Sequence, residues 1–229
     1  MADSVSIVIP ALNEEEGIRG TIASVPRAEL AKMGHNAEII VVDGNSKDRT
    51  AQIARENGAR VIVEQKRGYG LALRTGFDAA RGDVIISSDA DHTYAVEDIP
   101  AMLEKMEKEK LDFLSTNRFE KMAPGAMSGR NRLGNRVLSG TARLLFSTPF
   151  ADSQSGMWLM KRGAWEKIRE GVKNNGMAFS QEIKIEAFRQ GLRCGETPVR
   201  YGVRKGEVKL NPWRDGIGNL VELLRKRLC

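Results

Sequence analysis

Across its first half the chain alternates short apolar runs with segments of helical spacing, and this alternation restricts the fold more than any other feature. Residues 4–10, 37–43, 59–64, 84–89 and 112–117 read as strands. Asn13-Glu14-Glu15-Glu16 reads as an N-cap and first turn, opening a helix to about Val25. Residues 50–57 form a second helical segment stopped by Gly58, and residues 71–80 a third. Pro100 fits the first turn of a fourth, which runs to about Lys110. Such alternation predicts an α/β fold with a Rossmann-like, mainly parallel sheet flanked by helices.

The second half is patterned differently. Residues 120–129 hold two glycines, a proline and two methionines, the composition of a mobile loop. Residues 131–146 interleave Leu133, Val137, Leu138, Ala142, Leu145 and Phe146 with Arg132, Arg136 and Arg143, an amphipathic cationic helix. Residues 164–169 and 180–190 read as further helices and 195–203 as a strand. Residues 215–227 form a second basic amphipathic helix, with Ile217, Leu220, Val221 and Leu224 on one face and Arg225, Lys226 and Arg227 at its end. No composition break marks a domain boundary, so residues 1–229 read as one domain.

Charge is unevenly placed in a chain of net charge +6. From Arg118 to Phe146 six cations face only Glu120, and from Arg200 onward eight cations face three acids. This clustering points to an anionic partner such as nucleic acid, a diphosphate or a lipid surface. No run of 18 apolar residues and no signal peptide is apparent. Two distant cysteines, Cys194 and Cys229, do not make a disulfide framework and fit a reducing cytoplasm. Two histidines, His35 and His92, do not support a histidine-rich zinc site.

Asp89-Ala90-Asp91 closes the fourth apolar run. Carboxylates at alternate positions, at the carboxyl end of a buried strand, suit a hard divalent cation such as Mg²⁺ or Mn²⁺, which prefers oxygen ligands and bridges to diphosphates. Ligands also gather at that end of an open α/β sheet. An isolated Asp-x-Asp is more often an acidic turn or a helix cap. Here it is one of four segments at strand ends. The others are Ile9-Pro10-Ala11-Leu12-Asn13-Glu14, the stretch from Val42-Asp43-Gly44-Asn45 to Thr50, and the stretch from Arg67-Gly68-Tyr69-Gly70 to Arg74-Thr75-Gly76.

In this order and spacing, the four segments resemble family 2 glycosyltransferases of the GT-A fold, especially the dolichol-phosphate mannose and glucose synthase group. Asp152-Ser153-Gln154-Ser155-Gly156 is similar to the group's Asp-x-x-Ser-Gly, and residues 201–210 to its cationic late loop. The resemblance implies a nucleotide-sugar half at 1–117 and an acceptor and membrane-interface half at 118–229. It places Pro10, Ala11, Asn13 and Glu14 along the nucleotide pocket, with Asp43 on base or ribose and Asn45 and Ala90 beside it. Gly68 and Gly70 let backbone approach the nucleotide, and Arg74 supports the diphosphate. Asp89 and Asp91 take the metal and, with Arg118 and Arg204, form the catalytic set. Thr93 stands where mannose synthases tend to carry a glutamine ligand, which leaves the third protein ligand open. Gly44 replaces the usual second aspartate after strand two, which leaves the base open.

Arg132, Asn135, Arg136 and Lys209 are implied for the acceptor phosphate. Asp152 and Ser155 are read alternatively as supports for the loop beneath the site. Glu182 is either a base, as elsewhere in the superfamily, or a helix-start carboxylate in Ser180-Gln181-Glu182-Ile183. An acceptor phosphate is already ionised near neutral pH, so it needs alignment and charge screening rather than a strong base. The implied reaction is inverting, metal-dependent transfer of a hexose from a nucleotide sugar to a polyprenyl or dolichyl phosphate. The protein would sit peripherally on an anionic membrane surface, at its cytoplasmic face. A soluble hydroxyl acceptor, which would make Glu182 or Asp152 essential, is the enzymatic rival. A non-catalytic nucleotide-sugar or anionic-lipid binding module is the rival from another class, and the intact Asp89 and Asp91 argue against it. A P-loop is absent, and no aromatic-basic motif supports nucleic-acid binding.

Overall fold

In the computed structural model, residues 4–206 and 212–228 are described. Seven strands form one sheet: β1 (Ser4–Ala11), β2 (Asn36–Asp43), β3 (Arg60–Val63), β4 (Val84–Ser87), β5 (Phe113–Met122), β6 (Trp158–Lys161) and β7 (Cys194–Tyr201). Their spatial order is β3-β2-β1-β4-β6-β5-β7. Pairing is parallel from β3 through β4 and again between β5 and β7, while β6 runs antiparallel to both β4 and β5. The mainly parallel sheet expected from the strand-helix alternation is therefore present, with β6 as an addition. Strand order reverses around β1 and β4, so the carboxyl ends of these strands open a crevice between their outgoing loops.

One face of the sheet is covered by α1 (Ile18–Ala23), α2 (Arg27–Lys32), α3 (Thr50–Glu56) and α5 (Ile99–Lys108). Ile7, Ile9, Val41 and Ile86 project into this core with Leu30, Ile53 and Met102. The other face receives α4 (Tyr69–Ala79), α7 (Arg162–Ile168) and α8 (Phe179–Arg189), where Phe77, Trp158, Trp165 and Phe179 pack together. Alternate residues of a strand point to opposite faces, so Val8, Ile40 and Ile85 enter this second core.

The helices α6 (Gly129–Phe146) and α9 (Pro212–Leu228) attach to α8 through a small third cluster of Leu138, Ala142, Ile185 and Leu223. Their outer faces stay open. Leu133, Val137 and Leu144 of α6 are 65%, 57% and 83% exposed. On α9, Ile217, Val221 and Leu224 are 60%, 56% and 49% exposed.

Three local expectations are corrected. Asn13 does not cap a helix: it adopts a left-handed backbone conformation, and its side-chain oxygen accepts from the Lys47 N–H at 2.7 Å. The helix begins later, at Ile18, after a turn closed by the Ile18 N–H on the Glu14 carbonyl at 2.9 Å. The supposed loop from Glu120 is instead strand as far as Met122, paired with Tyr201 of β7. Lys226 does not point outward with Arg225 and Arg227. Its ammonium turns inward onto Glu182 at 3.0 Å, Glu186 at 3.1 Å and the Gly171 carbonyl at 2.9 Å.

Candidate active site

Asp89 and Asp91 follow β4 at the open end of the sheet. Asp91 is 4% exposed, and its Oδ1 accepts from the Thr93 N–H at 3.1 Å and the Thr93 hydroxyl at 2.6 Å. Thr93 thus orients the carboxylate. Its other oxygen accepts from the Arg204 Nη1 at 2.7 Å. Asp89 keeps some exposed surface and accepts from the Tyr69 hydroxyl at 3.2 Å. Crowding by protein atoms, and then repulsion from Asp91, push the Asp89 carboxyl up to about 7. Ala90 between them is buried, and its carbonyl accepts from the Thr21 hydroxyl at 3.2 Å. The carbonyl passes so close to Gly17 that a Cβ there would lie 2.7 Å from it.

The ends of β1 and β2 form the adjoining wall. Pro10 and Ala11 are buried in register with Val42 and Asp43. Asp43 is 3% exposed and accepts from both the N–H and the hydroxyl of Ser46, so it braces the turn that contains the exposed, left-handed Asn45. Glu14 is 7% exposed and pairs with the Arg204 Nη2, while its N–H donates to the Thr50 hydroxyl at 2.8 Å. Arg204 therefore spans Glu14 and Asp91, one carboxylate from each of the β1 and β4 loops. The backbone carrying it is fixed too: the Lys205 N–H donates to the Asp91 carbonyl at 3.1 Å and the Gly202 N–H to the Thr93 carbonyl at 2.8 Å.

Gly68 and Gly70 have a packing reason of their own. A Cβ would come within 2.4 Å of the Asn175 carbonyl at Gly68 and 2.5 Å of the Asn174 carbonyl at Gly70. Arg74, one helical turn beyond Gly70, has its Nε and Nη2 buried without a hydrogen-bond partner among the described residues.

Arg118 on β5 is 7% exposed and clamps Asp152 twice, Nε to Oδ2 at 2.7 Å and Nη2 to Oδ1 at 2.9 Å. Its guanidinium also lies 5.4 Å above the Tyr201 ring. Asp152 is fully buried, and although burial opposes its charge, Arg118 holds its carboxyl below the ordinary carboxylate range. The following turn is held from below by Lys184, whose ammonium donates to the carbonyls of Asp152, Ser153 and Ser155 at 3.3, 3.0 and 2.6 Å. Gly156 ends the turn against the acidic pair: a Cβ there would stand 2.9 Å from the Asp89 Oδ2.

Glu182 is committed elsewhere. It accepts the N–H groups of Lys173 at 3.0 Å and Asn174 at 2.8 Å, besides pairing with Lys226. It thereby secures the segment on which Gly68 and Gly70 rest. Arg132, Asn135 and Arg136 occupy the first half of α6, where the two arginines are exposed. Arg136 stacks 5.5 Å from the Phe119 ring, next along the chain to Arg118. Lys209 lies outside the described residues.

The structure thus brings Glu14, Asp89, Asp91 and Arg204 together and ties Arg118 to Asp152. The sequence reading did not give roles to Tyr69, Thr93 as an orienting group, Gly17 or Lys184. Tyr69 and Thr93 lie inside or next to quoted motifs. Lys184 carried no signal, because a lysine in a helix reads as solvent-facing.

The model of the family described as Glycosyl transferase family 2 matches residues 6–169. Low-salt glycan biosynthesis hexosyltransferase Agl6 of Haloferax volcanii is 37% identical over 218 residues, covering 94% of this chain and 52% of that protein. The chain therefore spans about half the length of that relative. A dolichyl-phosphate hexose transferase of the same organism is 34% identical over 93% of this chain and 90% of its own length. Among solved structures, glucosyl-3-phosphoglycerate synthase of Mycobacterium tuberculosis, in complex with uridine diphosphate, matches with a TM-score of 0.77. The match covers 98% of this chain and 80% of that one at 20% identity, a likeness of fold.

Proposed function

The chain belongs to glycosyl transferase family 2, and from that premise we propose that it transfers a hexose from a nucleotide sugar to a polyprenyl or dolichyl phosphate, with inversion at the anomeric carbon. The protein docks peripherally on the cytoplasmic face of a membrane. The observation that carries this reading is the open apolar face of α6 and α9, flanked by the exposed Arg132, Arg136, Arg143, Arg225 and Arg227. No helix among the described residues is long and apolar enough to cross a membrane. These two helices instead suit the interface, with apolar side chains below and guanidinium groups at head-group level. The dolichyl-phosphate relative supports the same acceptor class.

A phosphate acceptor also fits the fate of the carboxylates. A hydroxyl acceptor needs a base, yet Asp152 is clamped by Arg118, and Glu182 is filled by two backbone N–H groups and Lys226. The donor would lie between the β1, β2 and β4 loops, with Arg74 and Arg204 on its diphosphate. Arg204 lies across Glu14 and Asp91, and a bound diphosphate would compete with these carboxylates for its guanidinium.

Mg²⁺ or Mn²⁺ fits beside Asp89 and Asp91. The two crowded carboxylates, one with its pKa pushed up, favour a cation, and a guanidinium already occupies one oxygen of Asp91. No group of three acidic, histidine or cysteine side chains suited to a metal occurs among the described residues, so substrate oxygens and water would complete the shell. When bound, the ion would neutralise the departing nucleoside diphosphate.

Two outcomes are expected. Arg132→Ala and Arg136→Ala raise the KM for lipid phosphate by about tenfold each, while donor affinity stays within about twofold. Loss of donor affinity with an unchanged acceptor KM contradicts the assignment. In vesicle flotation, the wild type binds anionic liposomes and is released by salt, each interfacial cation being worth about 1 kcal/mol. The triple variant Ile217→Ser, Val221→Ser, Leu224→Ser should stay in solution. Equal binding by both proteins removes α9 as the docking face.

A further inference from the structure

The two helices with open apolar faces converge on one turn of the active site. On α9, Asn219 is 7% exposed and points inward, opposite Ile217 and Val221. Its Nδ2 donates to the Gln154 Oε1 at 2.8 Å. Gln154 Nε2 donates to the Gln181 Oε1 at 2.9 Å, and Gln181 Nε2 donates back to the Asn219 carbonyl at 2.7 Å. Two carboxamide–carboxamide bonds and the bond to the Asn219 main-chain carbonyl close a ring between α9, α8 and the turn after Asp152. From α6, the buried Ser139 hydroxyl accepts from the Ser153 N–H at 3.0 Å and lies 3.2 Å from its hydroxyl. Each open-faced helix therefore holds one residue of the Ser153-Gln154 pair.

That pair sits between two functional contacts. Asp152, just before it, fixes Arg118. Gly156, two residues after Gln154, abuts Asp89, and its N–H donates to the Tyr94 hydroxyl at 2.7 Å. Apolar residues would join helix to turn without fixing direction. Buried amides cost free energy unless every partner is in place, so they hold one relative position. Away from the turn, α6 and α9 are attached through the small cluster around Leu138 and Leu223, and α9 also through Lys226 on Glu182, Glu186 and the Gly171 carbonyl. Among the hydrogen bonds of the described residues, the Ser139 and Asn219 links are those that join these two helices directly to the turn.

We propose that the Asn219-Gln154-Gln181 ring and the Ser139-Ser153 contact are positioning elements that couple seating of α6 and α9 on a lipid surface to the productive placement of Arg118 and Asp89. The proposal rests on the lipid-phosphate reading above. Neither Asn219 nor Ser139 touches the reacting groups; both act through the turn.

Asn219→Leu, nearly isosteric, and Ser139→Ala cut the two links separately. Each variant is assayed with polyprenyl phosphate in anionic vesicles and with a short, water-soluble prenyl phosphate, alongside vesicle flotation and donor titration. The expected result is a fall in kcat of at least about tenfold for the vesicle-borne acceptor. Flotation, donor affinity and kcat for the short acceptor should change by less than about twofold. An equal fall with both acceptors shows a purely structural turn and overturns the coupling, as does no fall with either. Should Asn219→Leu fail to fold, Ser139→Ala alone decides. A wild type that uses the short acceptor as fast as the vesicle-borne one overturns the coupling but keeps the acceptor class. A wild type that uses neither overturns the acceptor reading instead.

Discussion

Asp89→Ala and Asp91→Ala are each expected to lower transfer by at least about a thousandfold, with little loss of folded protein. Asp89 stands half-buried against a second carboxylate, and that crowding pushes it up to about 7. Removing either charge relieves the repulsion while leaving β4 and its neighbours in place. The same crowding sets a pH signature that needs no turnover. A carboxyl whose folded pKa lies above its usual 3.8 favours folding most when protonated. In chelator, that contribution is fully present below about pH 4 and is lost as pH rises through about 7. Mg²⁺ or Mn²⁺ competes with the proton and should restore melting temperature near pH 7 in the wild type, and not in Asp89→Ala. Activity should rise through the same window, with its limb moved to lower pH by added cation. Undiminished turnover in excess chelator, or a wild-type rate from both variants, removes the metal mechanism.

These expectations rest on a site whose acidic half was readable and whose supports were not. Asp89 and Asp91 followed an apolar run, and β1, β2 and β4 were each continuous enough to be located from apolar residues alone. The four-residue β6 escaped because its run, Trp158-Leu159-Met160-Lys161, lacks alternation and its pairing with β4 joins residues more than seventy positions apart. Helix α2 escaped because it is only six residues long and follows Pro26. Lys184 was invisible for another reason. It belongs to the buried face of α8 and owes its burial to three carbonyls of a turn about thirty residues earlier in the chain. Periodicity finds which face of a helix is buried, and it says nothing about a loop that arrives to accept hydrogen bonds there.

The open faces of α6 and α9 were legible as patterns but not as exposures. An apolar stripe at helical spacing has the same appearance whether it meets a protein core or a lipid surface. The structure resolves α9 by dividing its circumference. Asn219, Leu223 and Lys226 recur at helical spacing on the inner side, whereas Ile217, Leu220, Val221 and Leu224 face out. Within the inner set Asn219 and Lys226 make directional contacts, although Lys226 reads from its position as part of the outer charge.

Asp152→Ala should be the most destabilising single substitution near the site, costing about 3–5 kcal/mol, because it leaves the Arg118 guanidinium buried without its counter-charge. Arg118 and Asp152 are 8% and 0% exposed at their side chains and joined by two short bonds, so water cannot replace the lost partner. Removing both charges avoids the stranded ion, and Arg118→Met with Asp152→Leu should regain most of the lost stability without regaining activity. The pH dependence has the opposite sign to that of Asp89. Arg118 keeps the Asp152 carboxyl below its usual range despite burial, so its contribution is present above about pH 4 and is lost as pH falls further. The gap between wild type and Asp152→Ala in denaturant unfolding should therefore be widest near neutrality and narrow in acid. A deficit under about 1 kcal/mol at pH 7, or one that grows in acid, would show that the pair is not what holds this turn.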